Sequence, residues 1–194
     1  LAFALMLCQI RNGFNGKSGS ELKGKTLGLH GYGHIGKNMA RIAKGFGMQV
    51  KAFDPFLKAS DFEGVEQCQS IEELYSSCNF VSANIPANDK TKKSLNFELL
   101  NKMPKGAVLV NTARKEVINE EDLIKLFTER TDFRYVADVA PDCAEQLKAF
   151  EGRYTFTAKK MGAQTSEANN NAGIAAAEQI VKFIKNGDTT FKVN

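Results

Sequence analysis

Short apolar runs alternate along the chain with stretches in which apolar positions recur every three or four residues, the two signatures of strands and helices. KTLGLH at 25–30 is the first run; a glycine follows it, and then a helical pattern from Ile35 to about Phe46. MQVKAF at 48–53 reads as the next strand and stops at Asp54-Pro55, because proline cannot continue regular structure. Ser70-Ile71-Glu72-Glu73 has the form of a capping box and predicts a helix to about Ser77. NFVSANI at 79–85 is a further strand, and a helix over 96–103 is stopped by Pro104 and Gly106. AVLVNTA at 107–113 is the most continuously apolar segment, as expected of a strand buried on both faces. A helix over about 120–130, strands at 134–139 and 153–157, and a helix over 166–186 complete the pattern.

Strands that alternate with helices pair in parallel through right-handed crossovers, and helices cover both faces of the sheet. No internal repeat or low-complexity linker interrupts the series. The fold class is therefore α/β, a single domain with a doubly wound parallel sheet of Rossmann type. Ligands of such sheets collect at the carboxyl ends of the strands.

Composition narrows the function classes. The 194 residues are 43% hydrophobic and 25% charged, as in a soluble globular protein with one sizeable core. The net charge of +4 is mild and its lysines are dispersed, so no nucleic-acid partner is expected. The opening run LAFALMLCQI has ten residues, well short of the roughly 20 that span a bilayer, and lacks a signal peptide's basic leader. No membrane association is expected. Cys8, Cys68, Cys78 and Cys143 show no paired spacing, which suits a reducing, cytoplasmic setting and predicts no metal site. The chain opens at Leu1, already inside a helical pattern, so a longer protein is expected to precede it.

The first candidate chemistry is Gly31-Tyr32-Gly33-His34-Ile35-Gly36, a GxGxxG directly after a strand and opening a helix. Gly31 permits the tight turn, Gly33 lets a pyrophosphate approach the backbone, and Gly36 lets helix and strand pack closely. Free amides at the helix start would face the phosphates, with His34 in the loop and Ile35 at the first helical position beside them. The next strand ends at Asp54, 18 residues after Gly36. A carboxylate there accepts from the ribose hydroxyls and repels a 2′-phosphate, which predicts NAD rather than NADP.

Three longer stretches carry a resemblance: ELKGKTLGLHGYGHIGKNMARIAKGFGMQVKAFDP, NIPANDKTKKSLNFELLNKMPKGAVLVNTARKEVINEEDL and VADVAPD. Together they resemble the D-2-hydroxyacid dehydrogenases over essentially the whole chain, and most of all the phosphoglycerate dehydrogenase branch. The resemblance implies a nucleotide-binding domain inserted into a substrate domain. Residues 1–12 and 166–186 would be the connecting helices, and roughly 100 preceding residues, a domain's worth, would complete the cleft.

Carried over by position, the resemblance makes Arg114 the group that grips the substrate carboxylate, a task that suits the planar guanidinium fork. Asp138 matches the aspartate that receives the nicotinamide carboxamide. Pro86, Thr112 and Ala113 match backbone positions lining the cofactor, with Thr91 a weaker candidate. The family's catalytic glutamate is replaced by Cys143, with Asp142 and Glu145 off register beside it, and its histidine by Lys159.

The two departures are compatible. A carboxylate beside histidine strengthens it as a base, but lysine, ordinarily near 10.4, is already too basic, so losing the glutamate suits a lysine base. Lys160, if it points the same way, adds repulsion that favours a neutral amine. One short branch of the family carries Lys-Lys-Met-Gly-Ala-Gln-Thr at this place; Ala158 stands here where that branch has proline. Lys160 is otherwise a phosphate contact or surface, and Lys115 is either a phosphate contact or solvated surface.

The implied reaction is hydride transfer from C2 of 3-phospho-D-glycerate to NAD, giving 3-phosphohydroxypyruvate for L-serine biosynthesis, in a homodimer paired through this domain. The alternatives are another D-2-hydroxyacid dehydrogenase or hydroxypyruvate reductase, and a non-catalytic NAD-binding module like the related corepressors. The chain alone is expected to turn over little.

Overall fold

The computed structural model describes residues 1–193 as two compact units, one from Leu1 to Lys160 and one from Met161 onward. The first unit is built on seven parallel strands: β1 (Thr26–His30), β2 (Gln49–Phe53), β3 (Glu66–Gln67), β4 (Phe80–Ala83), β5 (Val108–Asn111), β6 (Arg134–Ala137) and β7 (Tyr154–Phe156). Their order, β3-β2-β1-β4-β5-β6-β7, reverses direction between β1 and β4. The parallel pairing β1·β4 sets Leu27 beside Phe80 and His30 beside Ala83.

Two cores result because successive strand residues face opposite sides of the sheet. On β5, Val108 and Val110 pack with Leu5, Met39 and Ala43, while Leu109 between them packs with Leu74, Leu123 and Phe127. The first layer holds α1 (Ala2–Ile10) and α2 (His34–Gly45); the second holds α3 (Ile71–Ser77), α4 (Phe97–Leu100) and α5 (Glu120–Glu129). Gly28 on β1 faces the second layer, where a Cβ would lie 2.9 Å from Cys78 Sγ. The strand can pack there only without a side chain.

Expected from sequence as a connecting helix, α1 lies against the sheet with Leu5, Met6, Gln9 and Ile10 buried. Gln9 ties it to β7, donating to Gly152 O at 2.7 Å and accepting from Thr155 Oγ1 at 2.8 Å.

Three strands stop earlier than their apolar runs predict, at Ala83, Asn111 and Ala137. Asn84 and Asp138 still donate to the neighbouring strands, at His30 O and Asn111 O, and the residues beyond them form loops at the carboxyl edge. The helix expected over 96–103 shortens to α4, with Asn96 Oδ1 accepting from Leu99 N at 3.0 Å. The capping box is altered: Ser70 Oγ accepts from Glu73 N at 3.1 Å, but the Glu73 carboxylate accepts from Gln69 N at 2.7 Å, one residue before the cap. The two-residue β3 and the single turn α6 (Ala144–Leu147) are too short to leave a periodic signature.

The second unit carries α7 (Ser166–Asn186), over the residues the sequence predicts. Thr165 Oγ1 caps it by accepting from Ala168 N at 3.0 Å, and Gly187 closes it at φ +67°. None of its residues is buried. Among the described residues no helix is long and apolar enough to cross a membrane.

Candidate active site

The glycine turn sits at the carboxyl end of β1, beside the point where the strand order reverses. Gly31 has φ +92°, and a Cβ there would lie 2.8 Å from Asn84 O. A Cβ on Gly36 would lie 2.5 Å from Gly31 O, so the helix start presses on the turn itself. Gly33 has the opposite surroundings: a Cβ would meet nothing within 4 Å. It is the N-cap of α2 and no side chain caps the helix, leaving first-turn amides available to a ligand.

The side chain of Asp54 closes this turn. Its Oδ2 accepts from Tyr32 N at 2.9 Å, and its Oδ1 accepts from Phe56 N at 3.1 Å. A carboxylate is thereby held beside an open glycine face, an arrangement that fits the adenosine half of a dinucleotide. His34 and Ile35 are exposed on the first turn of α2, with Ile35 offering an apolar surface. His30, beneath the turn, meets Tyr75 Oη through Nδ1 at 3.2 Å. Burial lowers its pKa to about 4 against the opposing pull of Asp54, so at neutral pH it is an uncharged packing group.

At the ends of β4 and β5 the loops are held by side chains the strand pattern does not reveal. Pro86 O accepts from Thr91 Oγ1 at 2.5 Å, and the same hydroxyl accepts from Asn88 N at 2.9 Å, so Thr91 serves its own turn. Buried Asn111 folds the loop after β5: Nδ2 donates to Arg114 O at 2.9 Å and Oδ1 accepts from Ala113 N at 3.1 Å. The Arg114 guanidinium stays exposed, with one bond from Nη1 to Ala113 O at 2.9 Å.

Asp138, directly after β6, is only 2% exposed. Lys160 Nζ lies 3.3 and 3.2 Å from its two oxygens and donates also to Ala113 O at 2.7 Å and Thr112 O at 3.2 Å. The structure thus brings Thr112, Ala113 and Asp138 together, and the lysine that joins them is Lys160. Lys159 is exposed, and its carbonyl accepts from Thr157 Oγ1 at 3.0 Å; it forms no ion pair among the described residues. Lys160 therefore does not stand as a bare cation beside Lys159, because Asp138 neutralises it.

None of the three residues weighed for the glutamate position offers a free carboxylate. Cys143 is buried, and burial with the nearby Glu120 charge pushes its thiol up to about 12. Asp142 accepts from Lys115 Nζ at 2.5 Å, and Glu145 from Lys148 at 2.7 Å. The carboxylate that reaches this loop is Glu120, at the start of α5, whose oxygens accept from Asp142 N at 2.8 Å and Cys143 N at 2.7 Å. In sequence Glu120 reads only as an acidic residue favouring a helix amino terminus. Its partners lie 22 and 23 residues away.

A sheet of this order, with an open glycine turn after its first strand and a carboxylate locked onto that turn from the second, defines a dinucleotide-binding α/β domain. The chain belongs to the NAD-binding domain family of the D-isomer specific 2-hydroxyacid dehydrogenases, whose model matches residues 7–158. The match ends one residue before the lysine pair. The chain is 32% identical over 182 residues to D-3-phosphoglycerate dehydrogenase of Haemophilus influenzae, covering 90% of this chain and 44% of that protein. It is 34% identical over 170 residues to hydroxypyruvate reductase of Thermotoga maritima, covering 84% of this chain and 54% of that protein. Among solved structures, the cofactor (NAD+)-bound 3-phosphoglycerate dehydrogenase of Entamoeba histolytica superposes with a TM-score of 0.90 at 43% identity, over 100% of this chain and 62% of that one. The chain therefore spans under two thirds of the length of each of these relatives.

Proposed function

We propose that the chain is the NAD-binding part of an oxidoreductase that moves hydride between C2 of 3-phospho-D-glycerate and NAD, with 3-phosphohydroxypyruvate as product. The observation that carries this reading is the pairing of Asp54 with the glycine turn on one side of the point where the strand order reverses and exposed Arg114, after β5, on the other. One side suits the ribose and phosphates, and the other suits a substrate carboxylate. The similarity to the NAD+-bound Entamoeba histolytica enzyme supports this substrate over others of the class.

NAD supplies the hydride acceptor when bound. The chain's own residues do the rest. Gly33 and the uncapped amides of α2 take the pyrophosphate, Asp54 takes the ribose hydroxyls, and His34, Ile35 and Pro86 line the path between. Thr112, Ala113 and Asp138 form the acceptor cluster for the carboxamide. Arg114 grips the carboxylate and polarises the adjoining C2 oxygen, and Lys159 takes the C2 hydroxyl proton. Residues 1–12 and 166–186 would connect the domain to the rest of a substrate cleft; the exposed surface of α7 supports that assignment. A homodimer paired through this domain and a cytoplasmic location complete the proposal, the latter supported by four free cysteines.

The test is a substrate panel on the full-length protein with NAD and NADH. Turnover of 3-phosphoglycerate and 3-phosphohydroxypyruvate well above hydroxypyruvate, glyoxylate and lactate is expected. Preference for an unphosphorylated acid would move the protein to another branch of its family. NAD binding with no turnover of any acid would make it a sensing module.

A further inference from the structure

Among the described residues, the buried carboxylate of Asp138 has one charged partner, Lys160, which also fills the two carbonyl acceptors beside it. We infer that Lys160 is an internal occupant of the nicotinamide pocket, which the cofactor's carboxamide must displace. The inference rests on the dinucleotide reading given above. It follows from the layout of the sheet. With Asp54 after β2 and the glycine turn after β1 holding the adenosine half, the second half of a dinucleotide lies across the reversal point, over the ends of β4, β5 and β6.

At those ends the chain presents a convergent set of acceptors, Thr112 O, Ala113 O and both oxygens of Asp138, all engaged by one ammonium at 2.7 to 3.3 Å. A carboxamide NH2 is a two-proton donor and needs the same acceptors. Ammonium and carboxamide are thus alternatives for one set of lone pairs.

The occupant is suited to leave. Asp138 is 2% exposed, but the Lys160 side chain is 43% exposed, so it reaches in from a solvated position. The buried anion stays in place while the cation can return to water, where an ammonium is strongly hydrated. Lys160 is also the last residue of the first compact unit, and its neighbour Lys159 carries the proposed proton-accepting amine. A pocket closed about nine-tenths of the time lowers apparent affinity about tenfold, because only the open fraction binds.

The experiment is calorimetric titration of the wild-type chain and of Lys160→Met with NAD+, NADH and ADP-ribose, which lacks the nicotinamide. Displacement predicts that Lys160→Met binds both NAD+ and NADH about tenfold more tightly, with ADP-ribose unchanged. Tightening of NAD+ alone would mean only that a positive charge had been removed near a cationic ring, and would overturn the inference. Unchanged or weaker binding of both would make Lys160 a structural clamp and overturn it equally. Failure of ADP-ribose to bind the wild type would instead refute the dinucleotide reading. Should Lys160→Met not fold, the wild-type chain carrying 13C-labelled lysine, its ammonium groups unmodified, gives the same answer by NMR. The Lys160 signal, assigned by its loss in Lys160→Arg, must shift with NADH and stay still with ADP-ribose; no shift with NADH overturns the inference.

Discussion

The amide of Tyr32 donates to Oδ2 of Asp54 at 2.9 Å, locking the carboxylate that follows β2 onto the glycine turn that follows β1. One side chain thereby holds the turn's shape and places a negative charge at its open face. Asp54→Ala should lose both. NAD affinity falls tenfold or more, discrimination against NADP shrinks, and stability drops by about 1–2 kcal/mol from two unmade bonds. Parallel titrations with NAD and NADP, and thermal melts, check this.

Gly33 and Gly36 separate binding from folding. A Cβ on Gly36 lies 2.5 Å from Gly31 O, a backbone atom that cannot step aside. Gly36→Ala should therefore cost about 1–3 kcal/mol of stability, as overpacking does. A Cβ on Gly33 meets nothing. Gly33→Ala should melt within a degree or two of the wild type yet bind NAD far more weakly, because the new methyl would face the proposed pyrophosphate site. Equal NAD affinity in Gly33→Ala would remove that turn from the cofactor site.

Acid stability should fall in two windows. Burial holds His30 down at about 4, below its ordinary 6.5. The unfolded chain takes up this proton first, so the contribution is whole above pH 6.5 and is lost as pH falls toward 4. Asp132, bound by Arg130 Nη2 at 2.5 Å and by Gly106 N at 2.7 Å, is held down at about 2 by those bonds, the arginine first. Its contribution is whole above its ordinary 3.8 and is lost as pH falls toward 2. Melts against pH should flatten between 6.5 and 4 in His30→Gln. In Asp132→Asn the wild-type advantage, about 1–2 kcal/mol at pH 6, should vanish near pH 2.

In the full-length protein, Lys159→Met should reduce turnover at least a hundredfold if Lys159 is the proposed general base, with NAD affinity nearly intact. Arg114→Lys should also cut kcat/KM strongly, because an ammonium cannot make the paired bonds of a guanidinium. Near-normal turnover in Lys159→Met, measured by NADH absorbance, would take Lys159 out of the mechanism.

The parallel sheet, the glycine turn and Asp54 are legible in the sequence because each depends on local chemistry. Apolar periodicity sets strand and helix, glycine sets the turn, and a strand's end sets where the next carboxylate falls. The Asn111 loop lock is half legible, since its partners Ala113 and Arg114 are two and three residues on.

Tertiary structure alone decided the pairings across loops: Glu120 with the amides of Asp142 and Cys143, Lys115 with Asp142, and Lys160 with Asp138. These join groups some twenty residues apart, and nothing local records which partner wins. The lysine pair shows the reason most sharply. By itself the sequence places an amine at the end of β7, but neighbouring residues leaving a strand point to opposite sides. Which of Lys159 and Lys160 reaches Asp138 therefore depends on how the loop after Phe156 turns, and only the folded chain decides that.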